Sequence, residues 1–154
     1  MTAGRVEWAD AALSPARACC APGGAYPKAV SHRCRRGGGR DGSVIELIRP
    51  SAKPSATGAD WNWRSVAVET LNASGAPEYT VTEAQLEELA QMIAWLATFD
   101  GKSLDGVPVS FTIDRAHVIS HRETWSGTEC PGPYLQSRLD DIVVRARQIF
   151  GDRG

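Results

Sequence analysis

Long apolar runs are missing from this chain. None approaches the roughly 18 to 20 residues that span a bilayer, so no membrane insertion is expected. An excess of charge is missing too. Lys and Arg number 17 against 18 Asp and Glu, for a net charge of −1. That balance gives no electrostatic case for nucleic acid or an anionic membrane. Met1 to Asp10 contains no apolar core of the kind a secretory leader needs, so the expected location is the cytoplasm. Cysteine is scarce and unevenly spaced, at Cys19, Cys20, Cys34 and Cys130. Without regular pairing or an export signal, reduced thiols or metal ligands are the better reading than a disulfide framework. There is no Cys-x-x-Cys, which argues against a four-cysteine structural zinc site. Histidine is scarcer still: His32, His117 and His121. No internal repeat is visible, and 154 residues suit one domain able to bury a single core, expected to be a monomer.

Branched aliphatics are the next shortage. Residues 1–40 hold only Val6, Leu13 and Val30, while Arg33, Arg35, Arg36 and Arg40 surround Gly37-Gly38-Gly39. So little apolar surface cannot offset the entropy of ordering the chain. The segment reads as a flexible N-terminal arm. An Arg/Gly tract touching phosphate, or a translation discontinuity ending near Arg40, are alternatives. No aromatics interleave the arginines, which weakens the first of these.

From residue 41 to 154 the pattern becomes that of a folded domain. Asp41-Gly42 marks a turn before an apolar strand, Val44 to Ile48. A loop rich in Pro and Gly follows, then an alternating strand from Ser65 to Leu71. Thr82-Glu83-Ala84-Gln85 is a capping box, with Val81 and Leu86 placed to staple it. Leu86, Leu89, Ala90, Ile93, Leu96 and Ala97 then recur at helical spacing, with Gly101 beyond the end. Strands are expected at Val107 to Thr112 and His117 to Ile119. A last helix over Tyr134 to Phe150 should bury Leu135, Leu139, Ile142, Val143, Ala146 and Ile149 and stop at Gly151. Strands alternating with helices make the class α/β.

One stretch looks built for chemistry: His121-Arg122-Glu123-Thr124-Trp125-Ser126-Gly127-Thr128-Glu129-Cys130-Pro131-Gly132-Pro133-Tyr134. Imidazole nitrogen and thiolate sulfur are ligands that zinc prefers. Nine residues separate His121 from Cys130, so they converge only across a folded loop. The Pro-Gly-Pro run pins the backbone beyond Cys130, and a helix can begin there. A buried structural cysteine near a satisfied histidine would leave the same trace.

The segment resembles the C-terminal motif of zinc-dependent N-acetylmuramoyl-L-alanine amidases of type 2. They share a fold with peptidoglycan recognition proteins and include bacterial cell-wall amidases and phage endolysins. Their pattern runs His-Arg-Asp/Glu, a short loop, then Thr-x-Cys or Lys-Thr-Asp before Pro-Gly. Arg40-Asp41-Gly42-Ser43-Val44-Ile45 and Trp61-Asn62-Trp63-Arg64-Ser65-Val66-Ala67-Val68-Glu69 agree in order. The resemblance implies a mixed central β-sheet flanked by helices, and hydrolysis of the amide between N-acetylmuramic acid and L-alanine. Peptidoglycan is the implied partner and Zn2+ the implied cofactor, with action at the cell wall if the protein is released. A non-catalytic peptidoglycan-binding module of the same fold is the alternative.

Carried over residue by residue, His121 and Cys130 match the second and third zinc ligands. Glu69 matches the glutamate that positions or deprotonates the zinc water, though its alternation also fits a surface strand residue. Thr128 stands where the family places an oxyanion partner, with a neutral hydroxyl donor; a loop threonine satisfying local backbone fits equally. Trp61, Asn62 and Asn72 border the implied substrate groove. The family's first ligand, a histidine closing an early apolar strand, has no counterpart. Ala29-Val30-Ser31-His32 resembles the element after it, and counting back places the missing corner near Cys19 or Cys20. No apolar strand flanks those cysteines, so weak zinc binding and low or absent activity are expected.

Overall fold

The structure, a computed structural model, describes residues 61–104 and 106–152, with Trp63 as backbone only. The arm over 1–40 with Cys19, Cys20, Cys34 and His32, and the turn and strand expected over 41–48, lie outside the described residues. After a 3-10 turn at Trp61–Trp63 come α1 (Glu83–Ala97), β1 (Ser103–Leu104), β2 (Val107–Pro108), α2 (His121–Thr124) and α3 (Pro133–Gly151). The content is mixed: helices with a small antiparallel two-stranded sheet. No helix among the described residues is long and apolar enough to cross a membrane.

Helix α1 begins as the sequence predicts. Thr82 Oγ1 accepts from the Gln85 amide at 3.2 Å, and Gln85 Oε1 accepts from the Thr82 amide at 2.8 Å. Val81 and Leu86 are both buried beneath this box. Good helix formers fill the rest of α1, and its apolar stripe packs on α3. The shared core holds Leu86, Ala90 and Ala97 of α1 and Leu135, Leu139, Ile142, Val143 and Ala146 of α3, with Ile113. Burying each large aliphatic here contributes roughly 1.5–3 kcal/mol. Ala90 and Ala146 are wholly buried, as small residues at a close helix approach are. Ile149, expected inside, is only half-buried. At the rim, Arg145 grips Glu87 through Nε and Nη2, each at 2.9 Å, and Arg138 reaches Glu83 at 3.3 Å. Glu83 pairs with Arg138 and Glu87 with Arg145, so the helices run in the same sense.

Strand expectations fare differently. Over Ser65 to Leu71 only Ala67 is in a β-bridge. The strand expected over Val107 to Thr112 pairs only through Pro108, with one further exchange between Val109 and the Gly101–Lys102 pair. Beyond that, the Phe111 amide turns to the Asp100 carboxylate at 2.9 Å, and the ladder ends. His117 to Ile119 is not a strand. Asp114 Oδ1 accepts from the Ala116 and His117 amides at 2.9 and 3.0 Å, and its carbonyl takes the Val118 amide at 2.9 Å. An Asp that satisfies the next backbone donors itself favours a turn over sheet pairing.

Helix α3 starts at Gly132, whose φ of 89° and ψ of 164° lie in a region essentially restricted to glycine. A Cβ there would meet Tyr79 Cβ at 3.0 Å. Tyr79 belongs to a closed loop in which Ala73 donates to Thr80 O at 2.6 Å and Thr80 donates to Ser74 Oγ at 3.0 Å. Gly132 therefore carries both a backbone angle and a packing contact that alanine would spoil. Gly132→Ala should lower unfolding free energy by about 1–3 kcal/mol in urea titration. An alanine variant as stable as the parent would contradict this account of the junction.

Candidate metal and catalytic site

Helix α2 exists because its neighbours hold it. Glu123 folds back so that Oε2 accepts from the Ser120 amide at 2.6 Å, closing the first turn with His121 at its start. The Arg115 guanidinium bonds Glu123 Oε1 at 2.6 Å and Asp140 of α3 at 3.0 Å, and it donates to the Val118 carbonyl. One side chain thus ties the Asp114 turn, α2 and α3 together. Burial pushes the Glu123 carboxyl up, but hydrogen bonds from Ser120 and the Arg115 charge outweigh it and leave the pKa below its usual value. Sequence reading did not single out Arg115. An arginine in a turn carries no pattern that reveals its partners.

His121 is half-buried, and desolvation lowers its pKa. The neutral imidazole favoured this way is the form that ligates metals. Its ring makes no hydrogen bond among the described residues. The chain then returns to it: the Arg122 amide donates to the Cys130 carbonyl at 3.0 Å. This closure brings Cys130, a half-buried reduced thiol, back beside the start of α2. The Gly132 amide, donating to Glu129 O at 2.7 Å, tightens the same loop.

Thr128 Oγ1 accepts from the Cys130 amide at 3.1 Å. The local-backbone role is thus present, and it leaves the hydroxyl proton without an acceptor among the described residues. Trp125, next in chain to α2, is 57% exposed. Its ring centroid lies 6.0 Å from that of His121 at an interplanar angle of 37°. A Cβ at Gly127 would fall 2.4 Å from Trp125 Cζ2 and 2.5 Å from Cε2, so the indole rests against that glycine.

Glu69 shows an exposed surface, yet protein crowds its carboxyl on the remaining sides, and this desolvation raises its pKa. Two residues on, the Leu71 carbonyl accepts from Gln85 Nε2 at 2.9 Å, which anchors the segment to the start of α1. Trp61 is half-buried with the Arg64 guanidinium 4.3 Å over its ring. Asn62 is buried at 7% exposure, whereas Asn72 is exposed. Asp114 pairs with the exposed His117, which holds the Asp114 carboxyl below its usual range.

Among the described residues, no three His, Cys, Asp or Glu side chains gather to hold a metal. The donors nearest to such a site, a neutral imidazole and a thiol joined across a closed loop, fit zinc in kind. A catalytic zinc needs three protein ligands, so a third must come from elsewhere. Cys19 lies outside the described residues.

The family model described as N-acetylmuramoyl-L-alanine amidase matches residues 24–133. That span contains Glu69, Trp61, Asn62, Asn72, His121, Thr128 and Cys130 and begins after Cys19 and Cys20. No curated protein and no solved structure matches the chain.

The Arg115 clamp has a measurable consequence. Arg115→Ala should cost about 1–3 kcal/mol of unfolding free energy, because it strips charged hydrogen bonds from Glu123 and Val118 together. Lys at this position should recover only part, lacking the planar fork. Asp140→Asn should stay within about 0.5 kcal/mol, since the Asp140 side chain is 83% exposed. Equal losses at 115 and 140 would reassign the clamp to α3.

Proposed function

Because the chain belongs to the N-acetylmuramoyl-L-alanine amidase family, we propose that it hydrolyses the amide between N-acetylmuramic acid and the L-alanine of the peptidoglycan stem peptide. The family acts on peptidoglycan and is generally zinc dependent. On this reading the fold is a mixed central sheet flanked by helices, with the packed pair α1 and α3 among those helices. The observation that supports the proposal, beside the family match, is the Arg122–Cys130 backbone bond, which returns Cys130 to the start of α2, where desolvation lowers the pKa of His121.

His121 and Cys130 are assigned as two zinc ligands, and Cys19 as the third. Zinc, when bound, acidifies a water and polarises the scissile carbonyl. Glu69 takes the water's proton and hands it to the departing amine. A carboxyl whose pKa is raised is closer to the neutral optimum for both transfers. Thr128 donates a hydrogen bond from its hydroxyl to the developing oxyanion, held in place by the Cys130 amide. Trp61 and the exposed Asn72 contact sugar and peptide, and the buried Asn62 supports the turn that presents Trp61. The sequence around Cys19 offers no apolar strand, so its ordering entropy offsets much of the third bond. Zinc affinity and turnover are therefore expected to be low.

Glu69→Gln should lower turnover by about 10²-fold or more while metal content stays unchanged. Its effect on stability should have the opposite sign. A raised carboxyl holds its proton more tightly folded than unfolded, so ionisation penalises the fold. The penalty is absent below the unfolded pKa, grows as pH rises from there through the raised folded pKa, and stays in full above it. Gln removes it, so Glu69→Gln should be more stable than the parent above that window in pH-dependent unfolding. A loss of stability at neutral pH would show Glu69 to be a structural partner instead.

The metal assignment is tested by elemental analysis and lysis of purified cell wall. Chelation should remove what activity there is and zinc should restore it, while His121→Ala and Cys130→Ser should each reduce bound zinc. Unchanged zinc in both variants would end the assignment. Stoichiometric zinc with robust lysis by the parent would refute the expected weakness, and binding to cell wall without any cleavage would refute the hydrolase reading.

A further inference from the structure

We propose that Trp125 is a specificity determinant, an indole platform that stacks on the pyranose ring of the muramyl sugar next to the amide to be cut. The inference deepens the amidase reading above and rests on it. Trp125 is the most exposed of the large apolar side chains among the described residues, at 57%. An isolated exposed aromatic is ordinary. This one differs in two respects.

The first is its position. Trp125 follows α2 directly, and its ring centroid is 6.0 Å from that of His121. The rings are tilted by 37°, so His121 does not cover the indole by stacking flat against it. A group seated beside the His121 imidazole has this surface next to it. The amide cut in the proposed reaction is attached directly to the lactyl arm of the muramyl sugar. A pyranose is the apolar-faced neighbour this chemistry brings closest.

The second respect is that the indole is held. Gly127 lies so near that a Cβ would sit 2.4 Å from Cζ2, 2.5 Å from Cε2 and 3.0 Å from Nε1. No positive φ accompanies this glycine, so backbone geometry does not require it. What its lack of a side chain provides is room for the ring. The Trp125 amide donates to the His121 carbonyl at 3.0 Å, which fixes the base of the side chain to α2. A platform fixed before binding loses little rotamer entropy on contact. The indole N–H, with no partner among the described residues, remains to donate to a ring hydroxyl or the N-acetyl carbonyl.

The test compares two soluble probes by calorimetry on the full chain. One is a disaccharide-peptide containing N-acetylmuramic acid, the other the same stem peptide without sugar. Trp125→Ala should weaken the sugar-containing probe about tenfold and leave the sugar-free peptide within about twofold. Trp125→Phe should retain most of the affinity. Gly127→Ala should reproduce part of the loss by displacing the ring, with unfolding midpoint unchanged. Equal weakening of both probes by Trp125→Ala, or no weakening of either, overturns the platform alone. A parent that binds neither probe overturns the platform together with the amidase reading.

Discussion

A single backbone hydrogen bond, from the Arg122 amide to the Cys130 carbonyl, closes the most distinctive stretch of this chain on itself. Without it, His121 and Cys130 are two donors nine residues apart on a segment containing Ser126 and Gly127. With it, the loop becomes a closed ring whose two ends are a helix start and the entry to α3. The flanking constraints all act on the same closure. Glu123 fixes the helix start, Gly132 supplies the turn into α3, and Thr128 satisfies the Cys130 amide from inside the loop.

These local bonds hold only because something rigid stands behind them. The α1–α3 core is that support. Arg115 transmits it to α2 through Glu123 and to α3 through Asp140, and Gly132 passes it to the 73–80 loop through Tyr79. On the other side, Gln85 spends one end of its amide on capping α1 and the other on the Leu71 carbonyl. A capping residue that also grips a remote carbonyl couples the start of a helix to the segment bearing Glu69. Losing Gln85 would therefore loosen two elements at once.

The two long helices are legible in the sequence, whereas the strands expected among the described residues are mostly absent, for a physical reason. A helix satisfies its own backbone, so a capping box and a 3.6-residue stripe suffice to read α1 and α3. Nearly every buried position expected on α3 is buried, with Ile149 at the margin. A strand needs a partner, which the sequence does not name. The strand expected over Val107 to Thr112 ends after Val109, where the Phe111 amide turns to the Asp100 carboxylate. The Asp114 turn escaped notice for a similar reason, since an aspartate gives no sign of which amides it will accept. In the candidate stretch, the family resemblance points to His121, Thr128 and Cys130, and the structure shows the loop that joins them. Neither Arg115 nor Trp125 was singled out, because what matters about them is a set of contacts with no repeat or spacing to betray it. Asn62 shows the converse: its motif position was visible, its burial was not.

One physical cause, exclusion of water, acts on two of the candidate groups, and it favours the uncharged form of both. It lowers the His121 pKa and raises that of Glu69. For the imidazole this is the ligating state and costs nothing at neutral pH. For the carboxylate it is a penalty, since near neutrality the group must ionise in a crowded setting to act as a base. On the proposed reading a divalent cation resolves the conflict, because it stabilises a nearby carboxylate and further disfavours a protonated imidazole. The bare protein would then carry an electrostatic cost that the metal removes, so zinc binding and folding would reinforce each other. The reinforcement is bounded by the third donor. If Cys19 must be ordered to complete the site, its entropy is drawn from the same free energy, and both coupling and affinity shrink together.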